Sequence, residues 1–450
     1  MNLNFVEGNI VHKLMKFTFP ILVALFLQQL YGAVDLLIVG NFATSSDVSA
    51  VSIGFQFIST FINLIAGLSV GTTIIIGQKL GSNKHDDIGS VIGTGVLIFF
   101  IIALAITFFV GTKSDFYASI LNTPTASFAK TSQYIQVLAY GSIFLVGYNV
   151  LGSIYRGLGD SLTPLIAVII ATIVNVVLDY IFVHIYGMGS YGAAIATVIA
   201  QGIAVFFSLI IIGKRNNTFT FSFHDIAYHK VYTPLTLKLG APLSINAFFV
   251  SLSFTFILAI ANKFGVYVSA GVGVTERLIA FLMLIPMAFG QSIASFVSQN
   301  VGAKKYSRAS KGLFLSMFIS LGFAVISVAI SLTKGEQLLG LFTSDFKVIA
   351  PAFEYLKAYC FDIVFTSFLF PSIGYFNGYG KTKFTLISGT IGALLFRIPF
   401  SYLFSTIVPT SIFLIGLGTP LGTVFQLVVS VFYYKHLKKQ IEKGTFQNIV

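Results

Sequence analysis

Four carboxylic acids stand inside stretches that are otherwise apolar: Asp35, Asp179, Glu276 and Asp362. An ionisable group at the centre of a lipid-spanning helix costs about 2.5–3.5 kcal/mol, so each needs a reason to be there. Asp35 follows Gln28 and Tyr31 at spacings that bring all three to one helix face. Asn175 and Asp179 stand four residues apart and share a second face. Tyr134, Asn149 and Thr197 lie in neighbouring apolar runs and could line the same polar pocket. Two carboxylates with amide and hydroxyl oxygens suit a hard cation such as Na⁺. The same pair, desolvated and mutually repelling, could carry protons instead. Each residue also has a plainer use, as a wetting group or as hydrogen-bond glue between helices.

The elements that must hold these residues are membrane helices. Of 450 residues, 56% are hydrophobic and only 9% charged, against about 25% charged in a soluble domain. Mean hydropathy is +0.90. So few charges cannot wrap so much apolar side chain, which excludes an ordinary soluble enzyme and a disordered chain. The single cysteine, Cys360, rules out a disulfide scaffold. Lipid admits only helices or closed barrels. Runs such as Val91–Val110 and Leu313–Leu332 are far longer than a barrel strand of about ten residues.

The pattern predicts an all-α polytopic membrane protein with twelve helices, roughly at 14–40, 50–78, 88–112, 131–155, 162–186, 191–213, 234–262, 270–299, 310–333, 350–376, 384–406 and 411–434. The first run is too long for a removable signal peptide and lacks a cleavage site, so it reads as a first span. Charge sets the orientation. With both termini inside, the predicted inside segments hold 19 Lys and Arg and the outside segments six, with Arg277 and Arg397 within or near spans. That bias is the positive-inside pattern. The net charge of +12 is therefore spread through short loops facing anionic lipid, and does not form a nucleic-acid-binding face. Both termini are expected in the cytoplasm of a bacterial cell whose plasma membrane the chain crosses many times. Tyr must supply any interfacial aromatic belt, because Trp is absent.

The chain also repeats itself. Phe19-Pro20 parallels Ala241-Pro242, Gln78-x-x-Gly81 parallels Gln299-x-x-Gly302, and Arg156-Gly157-Leu158-Gly159 parallels Asn377-Gly378-Tyr379-Gly380, all near an offset of 222. Val48-Ser49-Ala50 parallels Val268-Ser269-Ala270 at 220, and Thr197-Val198 parallels Thr423-Val424 at 226. The expected organisation is an N-terminal lobe of six helices at 1–213, a cytoplasmic loop at 214–233 and a C-terminal lobe of six at 234–450. Six is even, so the lobes share an orientation and a pseudo-twofold axis along the membrane normal, as secondary transporters do. At an offset of 222, Asp35 falls on Ile257, and Asp179 on Ser401 or Phe400. The scaffold is duplicated but the acid pair is not, so the ion site is expected in the first lobe. Pro20 and Pro242 lie inside their spans and are candidate hinges.

Two motifs mislead. Gly187-Met188-Gly189-Ser190-Tyr191-Gly192 matches a dinucleotide fingerprint but lies between membrane helices with no strand before it, so it reads as a turn. Gly380-Lys381-Thr382 would need a glycine where Tyr375 stands to complete a phosphate loop. The six histidines are dispersed, with no metal-ligand spacing, and no nucleophilic constellation is evident. The chain is not expected to be an enzyme or to hold a cofactor.

The sequence resembles the multidrug and toxic compound extrusion (MATE) family over nearly its whole length. The likeness rests on Phe19-Pro20, Gln28-Gln29-Leu30-Tyr31, Val34-Asp35 to Val39-Gly40, Gln78-x-x-Gly81, Arg156 to Asp160, Asn175-x-x-x-Asp179 and Gly192-Ala193-Ala194-x-Ala196-Thr197. The resemblance implies two six-helix lobes in a V, a monomer, and export of organic cations or amphipathic drugs in exchange for Na⁺ or H⁺. In the archaeal and DinF-like branch the first-lobe cation site matches Asp35, Asn175, Asp179 and Thr197, with Tyr31, Tyr134 and Asn149 near it and Pro20 at the helix-one bend. Gln28, Glu276 and Asp362 are placed as supporting or substrate-pocket residues. The NorM-like branch has a Glu in helix seven that this chain lacks, although Asp362 resembles its helix-ten Asp. An exporter of lipid-linked sugars is the alternative within the wider superfamily. It would call for a cationic cavity, for which only Arg277 and Arg397 are candidates.

Overall fold

The computed structural model describes residues 3–214, 221–408 and 411–449. The described residues are 86% helical and contain no strand. Arg215, counted above among the inside basic residues, and part of the loop at 214–233 lie outside the described residues. Among the described residues ten helices are long and apolar enough to cross a membrane, and counting each of two bent pairs as one span brings the number to twelve. They are α1 Ile10–Phe42, α2 Ser45–Gly81, α3 Asp86–Phe109, α4 Thr125–Tyr140 with Ser142–Gly157, α5 Leu162–Ile185, α6 Gly189–Ile212, α7 Tyr232–Asn262, α8 Val266–Leu282 with Leu284–Gly302, α9 Tyr306–Gly340, α10 Phe346–Gly378, α11 Thr382–Ile407 and α12 Ile412–Glu442. All twelve expected spans have a counterpart.

The two bends have different local settings. In α4 the pieces meet at 51° around Gly141, where a Cβ would lie 2.3 Å from the Val198 side chain. In α8 they meet at 43° around Met283. Pro286, in the first turn of the second piece, has no N–H to return to the carbonyl of Leu282. Two π-helical turns interrupt the other ladders, at Tyr180–Ile185 in α5 and Gly392–Arg397 in α11. Such turns are rare and often mark functional positions. The Gly187–Gly192 motif is the α5–α6 turn and the start of α6, with Gly187 and Gly189 at positive φ.

The helices form two compact units. One comprises Phe19–Ser244 with residues 3–4, the other Phe5–Thr18 with the chain from Ile245 on. In each of α1 and α7 the division falls within three residues of the internal proline, Pro20 or Pro242. In the first unit, α2 packs on α4, and α5 on α6. In the second, α10 is central and packs on α8, α9 and α12 around Tyr355, Tyr359, Tyr375 and Phe376. Phe108, Ile173, Phe318 and Phe432 are exposed on outer helix faces, as lipid contact requires.

One acid holds three helix starts of the first unit together. Asp47, buried at the start of α2, accepts from Thr44 N (3.1 Å) and Lys130 Nζ (2.6 Å) through Oδ2, and from Ser190 N (3.0 Å) and Ser190 Oγ (3.1 Å) through Oδ1. Asp47→Ala should strand these donors and destabilise the fold by about 2–3 kcal/mol, less than a fully buried pair because Lys130 is partly exposed. The check is the thermal unfolding midpoint in detergent. Asp47→Asn, which keeps the acceptor, should lose less, and equal losses would show that the charge alone matters.

Candidate functional site

The first unit gathers the expected polar residues from four helices. α1 supplies Tyr31 and Asp35, α4 Tyr134, α5 Asn175 and Asp179, and α6 Thr197. All six are buried, with Asn175, Asp179 and Tyr134 at 0% exposure and Asp35 at 2%. Asp35 neighbours Asp179, Asn175 and Thr197, and Tyr31 and Tyr134 lie close enough to feel both carboxyl groups. Thr197 Oγ1 donates a long hydrogen bond to Asp35 Oδ2, 3.4 Å. Asp179 is the last residue before the π-turn Tyr180–Ile185, so the ladder is re-aimed at the site itself. Tyr134 can lie here because α2 offers Gly54, where a Cβ would stand 2.4 Å from the ring.

What distinguishes the cluster is its unmet hydrogen-bonding capacity. Asp35 Oδ1, both Asp179 oxygens, Asn175 Oδ1 and Nδ2, and the Tyr31 and Tyr134 hydroxyls are buried without a partner. Buried polar atoms are nearly always satisfied, and an unpaired one costs about 1–3 kcal/mol. Four of these seven are carboxylate or amide oxygens converging from two helices. That is the donor set of a hard-cation or proton site. Among the described residues no group of three His, Cys, Asp or Glu could hold a metal ion, so the set depends on amide and hydroxyl oxygens.

Two expected members make their hydrogen bonds outside this set. Gln28 is exposed and donates to Tyr148 Oη at 3.1 Å. Asn149 donates to the Leu145 carbonyl of its own helix at 2.9 Å. Glu276 and Asp362 belong to the second unit. Thr423 Oγ1 donates to Asp362 Oδ1 at 2.5 Å, and Tyr359 and Thr419 share a hydrogen bond of 3.2 Å beside it. Glu276 Oε1 is buried and unpaired. Arg397, weighed from the sequence only for a cationic cavity, lies close enough to both acids to act on them electrostatically. Its place 222 residues beyond Asn175 is the signal that could have found it.

Comparison with known proteins fixes the family. The MatE family model matches the chain twice, over residues 20–181 and 242–403. The chain belongs to the MatE family. Both matches are offset by the same 222 residues, which is the internal repeat. MatE proteins are transporters, not enzymes. A similar relative is the "Probable multidrug resistance protein YpnP" of Bacillus subtilis, 28% identical over 436 residues and 96% of each chain. The "Multidrug export protein MepA" of Staphylococcus aureus strain MRSA252 is 25% identical over 407 residues, 86% of each chain. Among solved structures, "MATE in the bent conformation" superposes with a TM-score of 0.92 over 98% of each chain at 20% identity. An outward-facing multidrug resistance MATE transporter gives 0.91, again over 98% of each chain at 20% identity. These two likenesses establish the MATE fold.

Proposed function

We propose that this MatE protein is a secondary multidrug exporter that expels cationic or amphipathic compounds in exchange for Na⁺ or H⁺ by alternating access. The observation that carries the proposal is the buried pair Asp35–Asp179 with its unpaired oxygens. Two adjacent carboxylates in a membrane need a compensating positive charge, either a cation or a proton. When the ion binds from outside, Asp35 and Asp179 are drawn together, tying α1 to α5 and α6. When it leaves, they repel. Pro20 lies 15 residues before Asp35 in α1, where a missing hydrogen bond lets the helix bend. Ion and drug must disfavour one another, or there is no exchange. Pro242 is the matching hinge in α7.

The relatives named for multidrug resistance and export support the substrate class. The positive-inside bias supports a multi-pass plasma-membrane protein with both termini cytoplasmic. The first-unit acid set supports kinship with the archaeal and DinF-like branch, and the protein acts as a monomer on small molecules. Export of lipid-linked sugars is disfavoured. Arg277 is exposed, and Arg397 is engaged by Ser253 beside two acids, so the two do not build a pyrophosphate site.

The test is efflux of a cationic dye from proteoliposomes under separate Na⁺ and pH gradients. One gradient should drive dye movement, and collapsing it should stop transport. Dye movement indifferent to both gradients, with the protein intact, would sink the proposal.

A further inference from the structure

The two family matches place the halves in register at 222 residues. In that register Tyr31 falls on Ser253, Asp35 on Ile257, Asn175 on Arg397 and Asp179 on Ser401. All four second-half residues are buried, Ser253, Ile257 and Ser401 at 0% exposure and Arg397 at 6%. Arg397 ends the π-turn Gly392–Arg397 of α11. Where the first half sets two acids and an amide, the second sets a base, a hydroxyl and an alkyl group.

The guanidinium is held in place. Arg397 Nη1 donates to Ser253 Oγ at 2.9 Å, and its charge centre lies 4.4 Å from the Phe254 ring centroid. Its Nε has no partner. Glu276 and Asp362 both lie within its field, without ion-pair contact. A guanidinium keeps its charge inside proteins, and it cannot leave.

We propose that Arg397 is a tethered cation at the repeat equivalent of the first-half ion site, so that the second half exchanges no ion and coupling runs through Asp35 and Asp179 alone. The inference rests on the exchange proposed above. The first half is charged and discharged in each cycle. The second holds its positive charge throughout, with Glu276 and Asp362 as fixed counter-ions. Arg397 is thus a positioning residue that sets how many ions each cycle carries.

The experiment counts cation binding to purified full-length protein in detergent, by Na⁺ titration calorimetry and by proton release or uptake at fixed Na⁺. Wild type should show one event, lost in Asp35→Asn. That loss tests the first-half site. Arg397→Asn installs the residue of the first half and deprives Glu276 and Asp362 of their resident cation. It should raise the count from one to two, and the added event should survive in Asp35→Asn/Arg397→Asn. Arg397→Lys, which keeps a tethered charge, should hold the count at one and retain transport. A folded Arg397→Asn still binding one cation would overturn the inference, as would a wild-type second event lost in Asp362→Asn. Should Arg397→Asn not yield monodisperse protein, adding Glu276→Gln and Asp362→Asn should restore it with a count of one. Failure to restore it would also overturn the inference.

Discussion

Asp35→Asn is expected to abolish gradient-driven efflux while leaving the protein folded and inserted. The side chains are nearly the same size, and the amide oxygen can still accept from Thr197 Oγ1. What disappears is the negative charge. Asp179 then faces an amide instead of a second carboxylate, and the pair no longer demands a cation. The loss is put at about 100-fold, near the top of the roughly 5–150-fold range spanned by a typical coupling free energy of about 1–3 kcal/mol. Stability should not fall, since a neutral amide costs less to bury than a carboxylate. The measurement pairs dye efflux under the driving gradient with a thermal unfolding midpoint. Unchanged efflux in a folded variant would remove Asp35 from the mechanism. Lost efflux with a collapsed midpoint would make the residue structural.

Much of this could be read from the sequence, because membrane helices are dictated by length and apolarity, which are local properties. The twelve spans follow from those alone, and the repeat from short motifs matched near one offset. The bends do not. At Gly141 the bend packs closely against Val198, 57 positions away, and no periodicity encodes that contact. The α8 bend lies beside Pro286, but α10 and α12 carry internal prolines without interruption, so proline alone does not decide it. The helix extensions beyond membrane length were also hidden, because an apolar window ends where lipid ends and a helix need not. Asp47 falls before the expected start of helix two at 50 and had no reading from the sequence. Its partners Lys130 and Ser190 become neighbours only in the fold.

The site was legible where spacing fixes both face and depth. Asn175 and Asp179, one turn apart, reach the same point. Gln28 is on the Asp35 face but two turns away, and Tyr148 captures its amide there. A shared face is therefore weaker than shared depth. Asn149 satisfied its amide on its own backbone, a common alternative for short polar side chains in helices. Arg397 was weighed only for a cationic cavity, because nothing in its spacing ties it to an acid. The π-turn that ends at Arg397 places it among buried residues.

The strongest test of the charge logic transplants the second half into the first. Asn175→Arg puts a guanidinium at the register position of Arg397, beside Asp35 and Asp179. If a fixed positive charge can stand in for an exchangeable one, the cation-binding event should vanish and gradient-driven efflux should fall about as far as in Asp35→Asn, roughly 100-fold. The route differs, however. Both acids remain, each now with a partner that cannot leave. Asn175 is fully buried, so the larger side chain should cost about 1–3 kcal/mol in overpacking, offset in part by its pairing with two carboxylates. Asn175→Met brings a longer side chain without charge and isolates that term. It should unfold at a lower temperature than Asn175→Arg, yet keep a measurable cation event, because the acid pair still lacks compensation. Equal cation binding in the two variants, both folded, would mean that the charge of the side chain at this position does not govern loading.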